Sequence, residues 1–528
     1  MERGTQGTGG VYMNKKKFPK AAAVIDIGSS ALKMRISQLR KGEIVDLDQL
    51  VYPLSLGHEV FTTGSISFES VRTLTEALAG FKNLIQEYGV TQWQVVATTA
   101  IREASNRAFV LDQIRIKNGF SVRVLEDAEE KTLIYSEILD LLNRTGDLTE
   151  GYSLLSYIGS GTLGIALHDG QNMVYSQNAP IGALKLHDML ASIEEQTENF
   201  DQVLEEYLRA MLNYRPFEMG HDIVNIILTG NEAEMIAHLC HAELEEGRFK
   251  IPVKRILKLY QGISKMTSSK IALHYQLSEN EADLLYSALA IYVRLIRLTN
   301  AGFVLSPKID LWDALMRQML LPKQDAVYFE HVRSNALACA QTIASDYQCS
   351  QAHTQVVRTI AGEIFDRTKP LHGMDRKQRL LLDLAAVLHD CGHFVSVKQH
   401  LDATFDLIRH MGIYGMTDRD MLRIAFVARY NEFYEPQLRD PAFQQMSEHS
   451  VTEIAKLVAI FRLANALDKS QKQKIPQVKV KLSDQQLTIS AQTNENVLLE
   501  QWAFAQCAGF FADVFGVKPV LKIKQTLI

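Results

Sequence analysis

A short stretch near the start of the chain sets the terms for the rest: Ala21-Ala-Ala-Val-Ile-Asp-Ile-Gly-Ser-Ser30. The apolar run from Ala21 to Ile25 reads as a buried strand. It ends in an acid, Asp26, and a small-residue turn, Gly28-Ser29-Ser30. A glycine lets backbone N–H groups approach an anion closely, and the acid can hold a cation or a water beside it. The same design returns at Leu154-Leu-Ser-Tyr-Ile-Gly-Ser-Gly-Thr162. Two such strand-turn units, about one subdomain apart, can close on a phosphate chain from both sides. Taken singly, each is more often plain hairpin chemistry.

The pattern between and beyond these turns alternates strand and helix to about residue 320. A second strand is expected over residues 31–39 and an amphipathic helix over 68–88, with Val71, Leu74, Leu78, Phe81 and Ile85 at three- and four-residue steps. A strand from Trp93 runs into a helix starting near Thr98, where hydroxyls, free N–H groups and Arg102 would suit an anion. An N-cap with a surface arginine is the plainer reading of that segment. Glu126-Asp-Ala-Glu-Glu130 leads into a helix expected over 131–142, and acids there are ordinarily dipole complements. A strand is expected at 224–228, and helix fills most of 278–320, started by the capping pair Ser278 and Glu281. This order of elements argues for an α/β domain pair.

From about residue 324 to 474 the pattern is almost wholly helical. Residues 380–388 are apolar nearly all round, which predicts a central buried helix running straight into His389-Asp390. Burying that pair costs several kcal/mol unless it is hydrogen-bonded or bound to a metal. His353 lies in a helical stretch over 353–365, and Asp468 falls on the inward face of a helix, four residues after Ala464 and seven after Phe461. His353, His389, Asp390 and Asp468 make a candidate divalent-metal site, with satisfied core polar groups an equal reading of the residue types alone. His393, His400 and Asp402 rank below them. The tail from residue 476 alternates again and predicts a small α+β module.

Length and composition bound the partners. A chain of 528 residues is expected to hold about three or four domains. A net charge of −5 gives no global attraction to nucleic acid or to a membrane surface, and no apolar run is long enough to span a bilayer. Residues 1–19 carry no signal-peptide core and are expected to be a disordered leader, with Met1 or Met13 as the native start. Five scattered cysteines without a CxxC spacing fit reduced thiols in a cytoplasm.

Together these pieces resemble the Ppx/GppA family, the exopolyphosphatases and pppGpp phosphohydrolases, from about Ala21 to the C-terminus. The resemblance rests on Ile25-Asp-Ile-Gly-Ser29, Ala97-Thr-Thr-Ala-Ile-Arg-Glu-Ala104, Glu129-Glu130 before Leu133-Ile-Tyr135, Ile158-Gly-Ser-Gly161, Pro180-Ile-Gly182 and Leu463-Ala-Asn-Ala-Leu-Asp468, in that order. It implies a multidomain α/β plus all-α protein. The parts would be an actin-like (ASKHA, ribonuclease H-like) ATPase-type core in two subdomains, 20–143 and 144–322, a helical HD-like domain, 323–474, and a small C-terminal α+β domain, 475–528. It further implies Glu130 as general base, Asp26 as the acid on the metal side, and Gly28, Ser29, Arg102, Gly159, Ser160, Gly161 and Thr162 as phosphate-binding residues. Mg²⁺ (or Mn²⁺) in the actin-like cleft and a homodimer belong to the same expectation. So does the H…HD…D metal pattern of HD phosphohydrolases, met by His353, His389, Asp390 and Asp468.

The sequence departs from the family pattern in its second turn. Where the family reads Asp-Ile-Gly-Gly-Gly-Ser-Thr-Glu, this chain reads Tyr157-Ile-Gly-Ser-Gly-Thr-Leu-Gly164. Three functions are therefore compatible with the sequence. The first is metal-assisted release of terminal phosphate from inorganic polyphosphate, or from pppGpp, by in-line water attack in the cleft, with polyphosphate or guanosine penta- or tetraphosphate as the partner bound. The second moves the chemistry to a metal at the HD site. The third is a non-catalytic binder of polyphosphate or an alarmone.

Overall fold

The computed structural model describes residues 21–148, 151–194, 196–197, 199–212, 222–322, 325–431 and 446–524. The expected leader lies outside them, as do residues 525–528 of the expected C-terminal domain. The described residues form two compact units, one lying within residues 1–124 and 312–325 and the other within residues 125–311 and 326–528.

The first unit is built on a five-stranded sheet in the order β3–β2–β1–β4–β5. The strands are β1 (Ala21–Ile27), β2 (Ala31–Arg40), β3 (Glu43–Pro53), β4 (Gln92–Ala97) and β5 (Val122–Val124). β1 runs antiparallel to β2 and parallel to β4. Its run of alanine, valine and isoleucine is buried from end to end except at Asp26, as a central strand covered on both faces requires. Helix α1 (Phe68–Glu87) covers one face with Val71, Leu74, Leu78, Phe81 and Ile85, all buried, and Ser67 caps its start by accepting the Ser70 N–H. Each of those large side chains contributes about 1.5–3 kcal/mol by leaving water. The helix Leu311–Leu320 returns late in the chain to this unit. Trp312 lies buried beneath Lys33 and Arg35, and the Arg35 guanidinium bonds Asp313 at 2.6 Å.

The second unit carries a seven-stranded sheet in the order β10–β11–β12–β9–β6–β7–β8. Its strands are β6 (Tyr152–Ile158), β7 (Leu163–His168), β8 (Met173–Ala179), β9 (Ile223–Gly230), β10 (Leu244–Glu245), β11 (Arg248–Pro252) and β12 (Phe303–Pro307). The order β8–β7–β6–β9–β12, with its senses, repeats β3–β2–β1–β4–β5. Helices α2 (Asp127–Thr145), α3 (Ala183–Glu194) and α4 (Glu279–Ile296) belong to this half, and Ser278 and Glu281 form the expected capping box on α4. The helix expected over most of 278–320 is interrupted. β12 holds a buried place between β9 and β11, and Pro307 ends it. Its five residues are too short a run to declare a period.

The helical part of this unit is formed by α5 (Gln351–His372), α6 (Arg376–Leu388), α7 (His400–His410), α8 (Asp418–Arg429) and α9 (Glu448–Ala466). Every residue from Leu380 to Leu388 is buried. One of them is charged, Asp383, and Arg379 pairs with it one turn earlier. A three-stranded sheet, β13 (Val478–Leu482), β14 (Gln486–Gln492) and β15 (Lys518–Lys524), packs with α10 (Leu498–Phe515) to make the tail module. Among the described residues no helix is long and apolar enough to cross a membrane.

Candidate active site and candidate metal centre

In the first unit β1 delivers Asp26 and then turns sharply. The Gly28 N–H donates to the Ala31 carbonyl at 3.0 Å, and the Ser29 and Ser30 carbonyls accept from Gly57 and Leu54 at 2.9 and 3.0 Å. Parallel β4 ends alongside, where the Thr98 N–H donates to Ile27, and the short helix Thr99–Glu103 starts there with Arg102 held to the Thr99 hydroxyl at 3.0 Å. Asp26, Gly28, Ser29 and the helix bearing Arg102 therefore share the carboxyl ends of two adjacent parallel strands, where α/β sheets take their ligands.

In the second unit the turn between β6 and β7 repeats this closure, with the Gly159 N–H on the Thr162 carbonyl at 2.9 Å. The Gly159 and Ser160 carbonyls accept from Ala183 and Lys185 at the start of α3, at 3.1 and 2.9 Å. That approach is close enough that a Cβ on Gly182 would collide with the Gly159–Gly161 backbone. Gly230 ends β9 at φ +145° against the Ile158 carbonyl, where a side chain would also collide. Asn231 then donates to the Ser160 hydroxyl at 3.0 Å.

Helix α2 brings the acids to this turn. It begins at Asp127, one turn ahead of the expected start, so Glu130 lies inside its first turns. Glu130 is 5% exposed, and beside it Lys131 is 2% exposed. The Lys131 ammonium donates to Asp127 Oδ1 at 2.9 Å and to the Thr162 hydroxyl at 2.8 Å. It lies 3.6 Å from Glu130 Oε1 and 5.0 Å from the centre of the Tyr157 ring. Thr162 in turn donates to Asp127 at 2.6 Å. Removing an ammonium from water costs several kcal/mol, which only such a set of partners offsets. Lys131 was not singled out by the sequence. Its one signal, an acid four residues earlier, is what a solvated helix face also shows.

Asp127 and Glu130 do not fit a divalent cation as they stand, because the Lys131 ammonium already faces both of them. The helical cluster does fit one. His353, His389 and Asp390 can each offer a ligand atom within 4.8 Å of the others. His353 Nδ1 donates to Asp468 Oδ2 at 2.8 Å, and His389 Nδ1 donates to the Ala386 carbonyl at 3.0 Å. These bonds assign the tautomers and leave both Nε2 lone pairs facing each other at 3.3 Å. Two lone pairs so close repel unless a cation or proton lies between them. Asp390 Oδ1 stands 3.4 Å from His389 Nε2, and its Oδ2 is 3.9 Å from His353 Nε2. Burial opposes ionisation of Asp390, but the surrounding imidazoles hold its carboxyl below the usual range. Burial pushes His389 below the ordinary histidine value, against the pull of Asp390.

Asp468 occupies a different place from that expected. α9 ends at Ala466, and Asp468 sits in the following turn, fully buried behind His353. Its Oδ1 accepts the Gln473 N–H at 2.7 Å, and its Oδ2 accepts both His353 and the Gln473 amide. His393 and His400 stack on each other at 4.0 Å, with His393 3.8 Å from Asp390, while Asp402 is engaged with Arg429. The helical part also grips α2: Gly415 donates to Thr132 at 3.1 Å, Ser136 meets Tyr414 at 2.9 Å, and Asp418 and Arg419 bind Glu126.

Two sheets that share one strand order, and a helical part with a histidine–aspartate cluster, define the class. The Ppx/GppA phosphatase family model matches residues 35–301, and the model for Ppx/GppA phosphatase domain III matches residues 336–506. The chain belongs to the Ppx/GppA phosphatase family. It is 20% identical over 483 residues to a guanosine-5'-triphosphate,3'-diphosphate pyrophosphatase of Vibrio parahaemolyticus, covering 89% of this chain and 91% of that one. To the enzyme of the same name from Aliivibrio fischeri it is 20% identical over 460 residues, covering 85% and 88%. Among solved structures, an exopolyphosphatase from Cytophaga hutchinsonii superposes with a TM-score of 0.50 at 17% identity, covering 57% of this chain and 98% of that one, which shows the shared fold.

Proposed function

We propose that this protein hydrolyses the terminal phosphoanhydride of inorganic polyphosphate or of a guanosine pentaphosphate, with Glu130 as the base that orients and deprotonates the attacking water. The observation that carries this reading is Glu130 itself, a buried carboxylate at the start of α2, joined through Lys131 to the Gly159–Thr162 turn. Backbone amides of a glycine turn suit phosphoryl oxygens, and in-line displacement needs little from the protein beyond position and charge. Asp26, Gly28, Ser29 and Arg102 are the phosphate- and metal-handling residues of the first unit in this reading. The names of the relatives, pyrophosphatase and exopolyphosphatase, support a phosphoanhydride substrate. Divalent-metal dependence is general in the family. Mg²⁺ or Mn²⁺ bound with the substrate would take up charge on the non-bridging oxygens. A cytoplasmic setting, which the five free thiols suit, belongs to the same proposal.

A second reading is favoured by the convergence of His353, His389 and Asp390. A metal held there would lower the pKa of a bound water, and hydrolysis would move to the helical part. Phosphate release from long-chain polyphosphate and from pppGpp, with Mg²⁺ and then Mn²⁺, separates the two. Glu130→Gln is expected to lower kcat by about 10²–10⁴, and Asp390→Ala to leave it largely intact. Loss in Asp390→Ala alone would put the chemistry at the helical centre. No release from the unmodified chain on either substrate would sink both hydrolytic readings.

A further inference from the structure

We propose that Lys131 is the resident cation of the Gly159–Thr162 turn, holding the place beside Glu130, Asp127 and Thr162 that a divalent ion would otherwise take. This deepens the reading of Glu130 as the base and rests on it. Three features show that the lysine is built into the site. Its ammonium is ringed by Asp127 Oδ1 at 2.9 Å, the Thr162 hydroxyl at 2.8 Å and Glu130 Oε1 at 3.6 Å. The Tyr157 ring lies beneath it at 5.0 Å, the geometry of a cation on an aromatic face. Its methylene stem runs through the space opened by the missing side chain of Gly164. A Cβ there would stand 2.7 Å from Lys131 Cγ, 3.3 Å from Cδ and 2.5 Å from the Tyr135 hydroxyl. Tyr157 and Gly164 are directly paired across β6 and β7, so one strand pair supplies both the ring under the ammonium and the gap for the stem.

The consequence is a division of charge. Around the ammonium, the Asp127 and Glu130 carboxylates and Lys131 sum to one net negative charge. A free divalent ion entering beside Glu130 would meet that ammonium directly. Lys131 thus acts as a positioning residue: it fixes the Glu130 and Asp127 carboxylates near the turn and excludes a metal from that face. Any divalent ion the reaction uses must then bind away from Glu130.

The test reads metal binding, not turnover, so it stands apart from whether polyphosphate is the substrate. Mn²⁺ alone is titrated into the full chain carrying Asp390→Ala, which removes the helical centre, and bound ion is counted by electron paramagnetic resonance. Lys131→Met is expected to gain one Mn²⁺ equivalent, at least tenfold tighter than any weak binding in the parent. Adding Glu130→Gln should remove that equivalent again. Lys131→Arg, which keeps the charge, should gain none. Failure of Lys131→Met to gain a site overturns the proposal. Should Lys131→Met not fold by circular dichroism, the chain retaining Lys131 decides alone. Unchanged Mn²⁺ stoichiometry on Glu130→Gln supports the proposal, and loss of an equivalent overturns it.

Discussion

Asp468 illustrates how much one side chain can do without touching a ligand. Its carboxylate fixes the His353 tautomer and ring, and Gln473 fixes the carboxylate. Removing a partner that orients a ligating histidine typically weakens metal affinity by about 10–100-fold. Asp468→Ala is expected to weaken Mn²⁺ or Zn²⁺ binding at the helical centre by that factor, read by calorimetric titration, with His353 and His389 still present. Affinity equal to that of the unmodified chain would show the orienting bond to be idle. The burial of Asp468 was legible from its spacing to Ala464 and Phe461, but its exact place was not. The helix stops two residues earlier, and the turn that follows is held by side-chain bonds that no hydrophobic period encodes. Lys131 escaped notice for a related reason. Lysine is almost never fully buried unless paired, and its partners Thr162 and Tyr157 come from a distant strand pair.

At the scale of elements, the strand-turn units were the most legible part of the chain. β1 and β6 are buried nearly throughout, and full burial imposes the unbroken apolar run that the eye finds first. β12 shows the limit. It too is buried, but it is short and lies between two helical stretches, so the surrounding period absorbs it. The glycines that shape the second turn are read from geometry alone. Gly230 combines φ +145° with backbone contact, so Gly230→Ala cannot be relieved by moving a flexible side chain. Strain of this kind costs on the order of 1–3 kcal/mol, and the collision adds to it. Urea unfolding of Gly230→Ala should show a midpoint lowered accordingly. Gly42→Ala, in open space on the β2–β3 hairpin though also at positive φ, should lose less. Equal losses at the two positions would mean that the packing of β9 against Ile158 contributes nothing.

Across the whole molecule, stability should fall on the acid side of neutrality for an identifiable reason. Burial lowers the pKa of His168 and of His372. In each ring Nδ1 accepts a backbone N–H, from Gly170 at 3.1 Å and from Met374 at 2.9 Å, so protonation would break a bond as well as bury a charge. The unfolded chain takes up these protons near pH 6.5, and the folded chain only at lower pH. Their contribution is therefore complete above about pH 6.5 and is lost as pH falls through the depressed folded values. Melting temperature measured from pH 8 to pH 5 should decline below that point, and less steeply in His168→Gln combined with His372→Gln. An unchanged slope would assign the acid sensitivity elsewhere.

The first unit has one further property, which concerns how the chain is made. Its sheet is complete by residue 124, but the helix with Trp312 and Asp313, which covers Lys33 and Arg35, is encoded after the whole of the second sheet. At about 5–20 residues per second, the roughly 190 intervening residues take on the order of 10–40 s to synthesise. Throughout that interval the nascent first unit lacks its closing helix, with β2 presenting Lys33 and Arg35 to whatever lies outside the ribosome. Truncation before residue 311 should leave the first unit without that helix, with Lys33 and Arg35 uncovered.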